Sequence, residues 1–249
     1  MPDTLFSQGV VGAWYDPSDT GSLFQDVAGT QPVTAAGQTV ALIRDKSGNG
    51  IHLRQSTLEK RPAYVTDGTR HWLAFDGVDD FLSIAALDMS TTDKVTILTG
   101  LRAVSNAIAI YLEFSTNSNT STGSFWSARA GADTFDAFAR GGAAVKTAQV
   151  AHSAAVFSPP SDNVVTNLHD ISGDRSQVRV DGFDSGPPAT GDKGSGTFGN
   201  HPLFMGMRAG SSLPFQGRIY GMILLGALAT STELSDAEAY LAAKTGTSP

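Results

Sequence analysis

Glycoside hydrolysis needs two carboxylates flanking the scissile bond, and the chain holds only four glutamates, Glu59, Glu113, Glu233 and Glu238. Glu113 lies in Leu112-Glu113-Phe114-Ser115 with no carboxylate two residues on. The five histidines, His52, His71, His152, His169 and His201, are scattered and form no His-Glu-x-x-His or closely spaced ligand pair. There is no cysteine to act as a nucleophile and no Gly-x-Ser-x-Gly elbow. The Gly-Asp-Lys-Gly-Ser-Gly run at 191–196 has Gly where a phosphate loop needs Ser or Thr after the Lys, so it reads as a flexible loop. No catalytic residue is assigned, and the chain is expected not to be an enzyme.

Two chemistries of binding remain. Sugars present apolar C–H faces and polar rims, which an aromatic side chain beside a hydrogen bonder can hold. The sequence offers Trp126 with Arg129, near the polar STNSNTSTG tract at 115–123, and Trp72 with His71. Both tryptophans lie in strand-like runs, so burial in a core is the competing reading. Asp76, Asp79 and Asp80 bring three hard oxygen donors into one turn, a set suited to Ca²⁺. Their alternative role is to satisfy backbone amides of the turn, and Asp45 and Asn49 carry the same ambiguity. No other cofactor is indicated.

The elements that must hold these residues are strands. Lys94 to Ala103 alternates Val95, Ile97, Thr99 and Leu101 with Thr96, Leu98 and Gly100, the period of two that turns one set inward. Further strands are expected at 10–15, 39–45, 107–114, 124–130, 134–140, 176–183, 203–208 and 217–226, the penultimate segments being joined by an Asp181-Gly182 turn and Gly/Pro-rich stretches. The WLAF run at 72–75 and FLSI at 81–84 read as a hairpin. Only the C-terminus reads as a helix, with Ser235 and Glu238 as its capping box, Lys244 near its end and Gly246 as its stop, packed at a sheet edge. The loops at 115–123 and 184–200 are placed at the ends of a sandwich, where recognition gathers.

Composition agrees with many short strands: 16% charged residues, 41% hydrophobic residues and 27 Gly. With a net charge of −7 and no Lys/Arg cluster, nucleic acid is not an expected partner. The apolar stretch at 221–229 is far short of the roughly 20 residues that span a bilayer, so no membrane partner is expected. The N-terminus carries neither a basic region nor a long apolar segment, so a secretory signal is not expected. All-β sandwiches routinely take this length as one domain, and residues 1–249 are read as one, with 1–45 integrated with or leading into it.

DKSGNGIHL (45–53), LAFDGVDDFLSI (73–84), QVRVDGF (177–183) and the ending PFQGRIYGMILLGALATSTELSDAEAYLAAKTG (214–246) together resemble laminin-G-like members of the concanavalin A-like lectin/glucanase superfamily. The resemblance implies an all-β fold: a two-sheet antiparallel β-sandwich, jelly roll, with a short C-terminal helix. Glucanases of that superfamily carry Glu-x-Asp-x-x-Glu or Glu-x-Asp-x-Glu on one strand, which this chain lacks, and some members bind Ca²⁺ at the loop edge. The segment at 13–55 (AWYDPSDTGSLFQDVAGTQPVTAAGQTVALIRDKSGNGIHLRQ) resembles segments that accompany such domains in tailed-phage and prophage proteins and in proteobacterial genomes. That implies a virion component, a capsid decoration protein or a tail or fibre protein, present in multiple copies and docked to capsid or tail proteins, with a surface for cell-surface glycan. The alternative is a bacterial surface or secreted lectin that binds polysaccharide; an atypical glycoside hydrolase ranks below both.

Overall fold

The computed structural model describes residues 2–117, 119–142 and 150–248. After a short helix α1 (Pro2–Leu5), the strands run β1 (Gly12–Tyr15), β2 (Leu23–Phe24), β3 (Leu42–Ile43), β4 (Leu53–Arg54), β5 (Ala63–Thr66) and β6 (His71–Asp76). They continue as β7 (Leu82–Asp88), β8 (Lys94–Ala103), β9 (Ala109–Phe114), β10 (Ser124–Arg129), β11 (Phe135–Arg140) and β12 (Ala151–His152). The last group is β13 (Ser161–Asp170), β14 (Arg175–Val180), β15 (Phe183–Asp184), β16 (Asn200–Met205) and β17 (Gln216–Leu225), followed by helix α2 (Ser231–Thr245).

Among the described residues these strands form two antiparallel sheets. Sheet I has eight strands in the order β15-β14-β13-β8-β17-β6-β5, with β1 also beside β17. β17 is long enough to pair β6 over its first half, Gln216↔Asp76 to Ile219↔Leu73, and β1 over its second, Met222↔Tyr15 to Leu225↔Gly12. Sheet II has nine strands in the order β12-β11-β10-β9-β16-β7-β4-β3-β2. The segment at 13–55 therefore supplies strands to both sheets.

Period-two residues of both sheets meet between them: Ile97, Leu101, Ile219 and Leu224 from sheet I, Leu112, Phe114, Phe125 and Leu203 from sheet II. The outer face of sheet I is covered as well. Leu98, Val164 and Ile223 pack against Ala237, Leu241 and Ala242 of α2, with Trp14, Leu5 and Phe6 alongside. This is why β8 is buried on both faces despite its alternation. The helix gets close because Gly100 and Gly221 face each other across β8 and β17. A Cβ on Gly100 would lie 3.0 Å from Thr245 Cγ2, and one on Gly221 3.0 Å from Leu241 Cδ2.

α2 lies over the central strands β8, β13 and β17 of sheet I, not at the expected edge. It starts five residues earlier than the Ser235 box. Thr230 is the N-cap, its hydroxyl accepting the Glu233 amide at 3.3 Å while Glu233 Oε2 accepts the Thr230 amide at 2.7 Å. Ser/Thr-x-x-Glu occurs twice in succession, and the first copy caps because Glu238 is engaged inside. Its carboxylate takes Arg179 Nε at 2.9 Å and the Thr166 hydroxyl at 2.9 Å.

The 72–75 and 81–84 runs are not a hairpin: β6 belongs to sheet I and β7 to sheet II. Both alternate toward the same interior, so periodicity alone cannot tell pairing from crossing over. The expected strand at 39–45 shortens to β3, and β13, with Asn163, Thr166, Asn167 and His169 along it, was not anticipated as a strand at all.

Candidate functional site

The outer face of sheet II carries one continuous row of side chains. β10 and β11 form a regular pair that sets Trp126 opposite Phe138. The ladder then runs Trp126↔Glu113 to β9, Glu113↔Phe204 to β16, Phe204↔Ser83 to β7 and Ser83↔Arg54 to β4. Residues directly opposite in neighbouring strands share a face, so six strands present Phe138, Trp126, Glu113, Phe204, Ser83 and Arg54 side by side. Bulges between Ser127 and Ala128 and between His201 and Leu203 bring this register about.

Trp126 and Phe138 are half-buried and stacked, centroids 5.4 Å apart and planes 13° apart. The Arg140 guanidinium lies 5.9 Å from the Phe138 centroid. Phe204, also half-buried, sits 6.1 Å from Phe81. Phe81 opens into a cleft of about 710 Å³ whose walls include Arg54, Thr57, Lys60, Ser83 and Ala85. Flat aromatic surface flanked by hydroxyls and cations is the combination that grips a sugar ring by its C–H face and its rim.

Glu113 lies in the middle of this row yet is fully buried. Its Oε1 accepts the Ser115 hydroxyl at 2.6 Å and its Oε2 the Ala209 amide at 2.8 Å. Its cross-strand neighbours are aromatic, Trp126 and Phe204, so the row sets no second carboxylate directly opposite it. The arrangement anchors the 206–213 loop against the sheet.

The sequence-derived pairs fare differently. Trp126 belongs to the half-buried row on the outer face, but Arg129 turns to the opposite, inner face. Arg129 is 1% exposed, its guanidinium 5.4 Å from the Phe135 centroid and its Nη2 2.6 Å from Asp133 Oδ1. Three residues apart on a strand means opposite sides, and the structure does not bring the two together. Trp72 and His71 part for the same reason. Trp72 is buried on the outer face of sheet I, edge-on to Tyr220 and with the Arg218 guanidinium 4.2 Å from its ring centre. His71 is turned to Tyr64, Nδ1 to hydroxyl 2.6 Å. Trp72 is therefore covered where a sugar would have to stack.

Asp76, Asp79 and Asp80 do converge: each offers a carboxylate oxygen, and these atoms lie within 4.8 Å of one another. They occupy the last residue of β6 and the crossing between the sheets that follows it, residues 77–81. Asp76 Oδ1 accepts the Val78 amide at 2.8 Å and the Asp79 amide at 3.3 Å, and Asp80 Oδ2 accepts the Asp76 amide at 2.9 Å. Gly77, at φ 78°, supplies the left-handed residue the turn needs. Burial, with the Asp76 and Asp79 charges adding to it, pushes Asp80 up to about 6. The set suits a hard cation such as Ca²⁺, and its atoms also close the turn by themselves. Asp45 likewise serves its turn, accepting the Trp14, Ser47 and Ile51 amides.

No protein-family model matches the chain, and no curated protein matches it in sequence. Solved structures do. A Trypanosoma rangeli sialidase in complex with the inhibitor DANA aligns with TM-score 0.58 at 11% identity, over 94% of this chain and 33% of the sialidase. The same enzyme with 2,3-difluoro-KDN gives TM-score 0.59 at 10% identity, over 98% of this chain and 34% of that one. A native heptameric SAP-like pentraxin from Limulus polyphemus aligns with TM-score 0.51 at 11% identity, over 70% of this chain and 84% of the pentraxin. The chain thus spans about a third of the sialidase's length. At such identities the likeness is one of fold: this is a two-sheet antiparallel jelly-roll β-sandwich.

Proposed function

We propose that this sandwich is a non-enzymatic recognition and assembly domain. In this reading it is a bacteriophage virion component, a capsid decoration protein or part of a tail or fibre, docked to capsid or tail proteins in multiple copies. It engages cell-surface glycan through the outer face of sheet II and requires no cofactor; Asp76, Asp79 and Asp80 are where Ca²⁺ would bind. The observation that carries the glycan part is the half-exposed aromatic row, Phe138-Trp126 at one end and Phe204-Phe81 at the other. The virion part is supported by the resemblance of residues 13–55 to phage-associated segments. Weak sugar contacts repeated over many copies on one particle add up through avidity.

Mass spectrometry of density-purified phage particles from the source organism, with copies counted against the major capsid protein, tests the virion reading. Stoichiometric presence supports it, and high copy number favours decoration over a fibre. Absence from particles, with the protein free or on cell surfaces, replaces it with a bacterial lectin. Release of reducing ends from polysaccharide by the purified chain would contradict the non-enzymatic reading.

A further inference from the structure

The cleft at the β4–β7 end of the row differs in charge from the rest of the molecule. The chain as a whole carries a net −7. The walls of the cleft nevertheless hold two cations, Arg54 and Lys60, and no carboxylate. Arg54 is exposed, and one of its guanidinium nitrogens rests on the His52 carbonyl at 3.2 Å. Among the described residues neither cation forms an ion pair.

A third cation stands behind the wall. Arg61 donates Nε to the Gln55 carbonyl at 2.9 Å, Nη2 to Ser56 at 2.7 Å and Nη1 to Gln25 at 3.0 Å. It fixes the 55–56 segment of the cleft, and among the described residues its charge has no carboxylate partner. The carboxylate of Asp26, next to Gln25, is engaged within its own turn, accepting the Thr30 and Gln31 amides at 2.9 and 2.7 Å. A concave surface lined by one sign of charge concentrates ligands of the other sign.

Phe81, on the same wall, presents a half-buried ring continuous with Phe204. A ligand that satisfies both features has an apolar ring face and a fixed negative charge on its edge. We infer that the β4–β7 cleft selects acidic saccharides, sugar rings bearing a carboxylate, stacking one ring on Phe81 while Arg54 and Lys60 take the carboxylate and Ser83 a ring hydroxyl. This inference rests on the glycan-binding reading above and adds the class of sugar to it. Neutral glycan occupies the same face only through the aromatic row, without the charge pairs.

The test compares polygalacturonate with dextran by biolayer interferometry on the whole chain, the Arg54→Gln/Lys60→Gln variant and the Trp126→Ala/Phe204→Ala variant. Two charge pairs of the partly exposed kind are together worth roughly a twofold to thirtyfold change in affinity. Polygalacturonate is expected to bind tighter than dextran by that factor. The excess is expected to vanish in the Arg54/Lys60 variant and to shrink as NaCl rises from about 50 to about 300 mM. Dextran binding as tightly as polygalacturonate, or an Arg54/Lys60 variant that keeps the preference, overturns the inference but leaves the glycan face standing if the Trp126/Phe204 variant loses both. Equal binding of poly-glutamate of matched charge also overturns it, because the cleft then reads charge without the sugar. Binding of neither polysaccharide overturns the inference and counts against the glycan reading with it.

Discussion

Replacing Asp80 by Asn should stabilise the protein, by an amount that depends on pH. Asp80 is 6% exposed, and burial among the Asp76 and Asp79 charges raises its pKa from 3.8 to about 6. A folded pKa above the unfolded one means that the folded state holds the proton more tightly. Its favourable contribution is complete below the unfolded value of 3.8 and is lost as pH rises through about 6. By about pH 8 the ionised carboxylate costs about 3 kcal/mol relative to the protonated one, at 1.36 kcal/mol per pH unit. Asn keeps the oxygen that accepts the Asp76 amide and carries no charge. Asp80→Asn is therefore expected to gain about 1–3 kcal/mol at about pH 8 and close to nothing at about pH 4. Urea unfolding of both proteins across this range reads the difference directly. A variant less stable than the parent at pH 8, or a difference that stays constant with pH, refutes the reasoning. Repeating the series with about 1 mM CaCl₂ separates the two roles of the turn, since an ion bound to the folded state stabilises the parent and not the variant.

Three further outcomes follow from the packing. Glu238→Ala leaves the Arg179 guanidinium and the Thr166 hydroxyl without their shared partner, and should cost about 3 kcal/mol in chemical denaturation. Gly100→Val drives a side chain into Thr245 and Leu241 of α2, and should cost about 1–3 kcal/mol or more, with a matching fall in thermal midpoint. Thr230→Ala removes the helix cap and should cost about 1 kcal/mol, an effect measurable by circular dichroism melting.

The fold was legible wherever strands alternate cleanly. β8 occupies the residues its period assigns, Lys94–Ala103, and β10, β11 and β17 fall within a residue of expectation, while β14 stops at Val180, three residues short of the expected 183. β13 escaped because its inward positions include Asn167 and His169, which resemble loop residues. Asn167 accepts the Ser127 hydroxyl at 2.6 Å across the sandwich, and His169 meets the Ser176 hydroxyl at 2.7 Å from the next strand, partners no local pattern announces. The 72–84 segment looked like a hairpin because strands in facing sheets bury the same phase of residues as strands in one sheet.

For the site, Trp126 was legible as an aromatic candidate, while its pairing with Arg129 was not sound: period two already places the two on opposite faces. The rest of the row depends on register across β10, β9, β16, β7 and β4, set by two bulges and by strands far apart in sequence. Phe204, Ser83 and Arg54 could not have been grouped with Trp126 from spacing. The aspartate triad, by contrast, is local, and its convergence follows from one turn.

The central claim is that the outer face of sheet II holds cell-surface glycan. Isothermal titration of the purified chain with bacterial surface polysaccharide tests it most directly, run alongside the Trp126→Ala/Phe204→Ala variant. Saturable binding by the parent, lost in a variant whose unfolding curve shows it still folded, is the predicted result. Equal binding by parent and variant, or no binding by either, would contradict it.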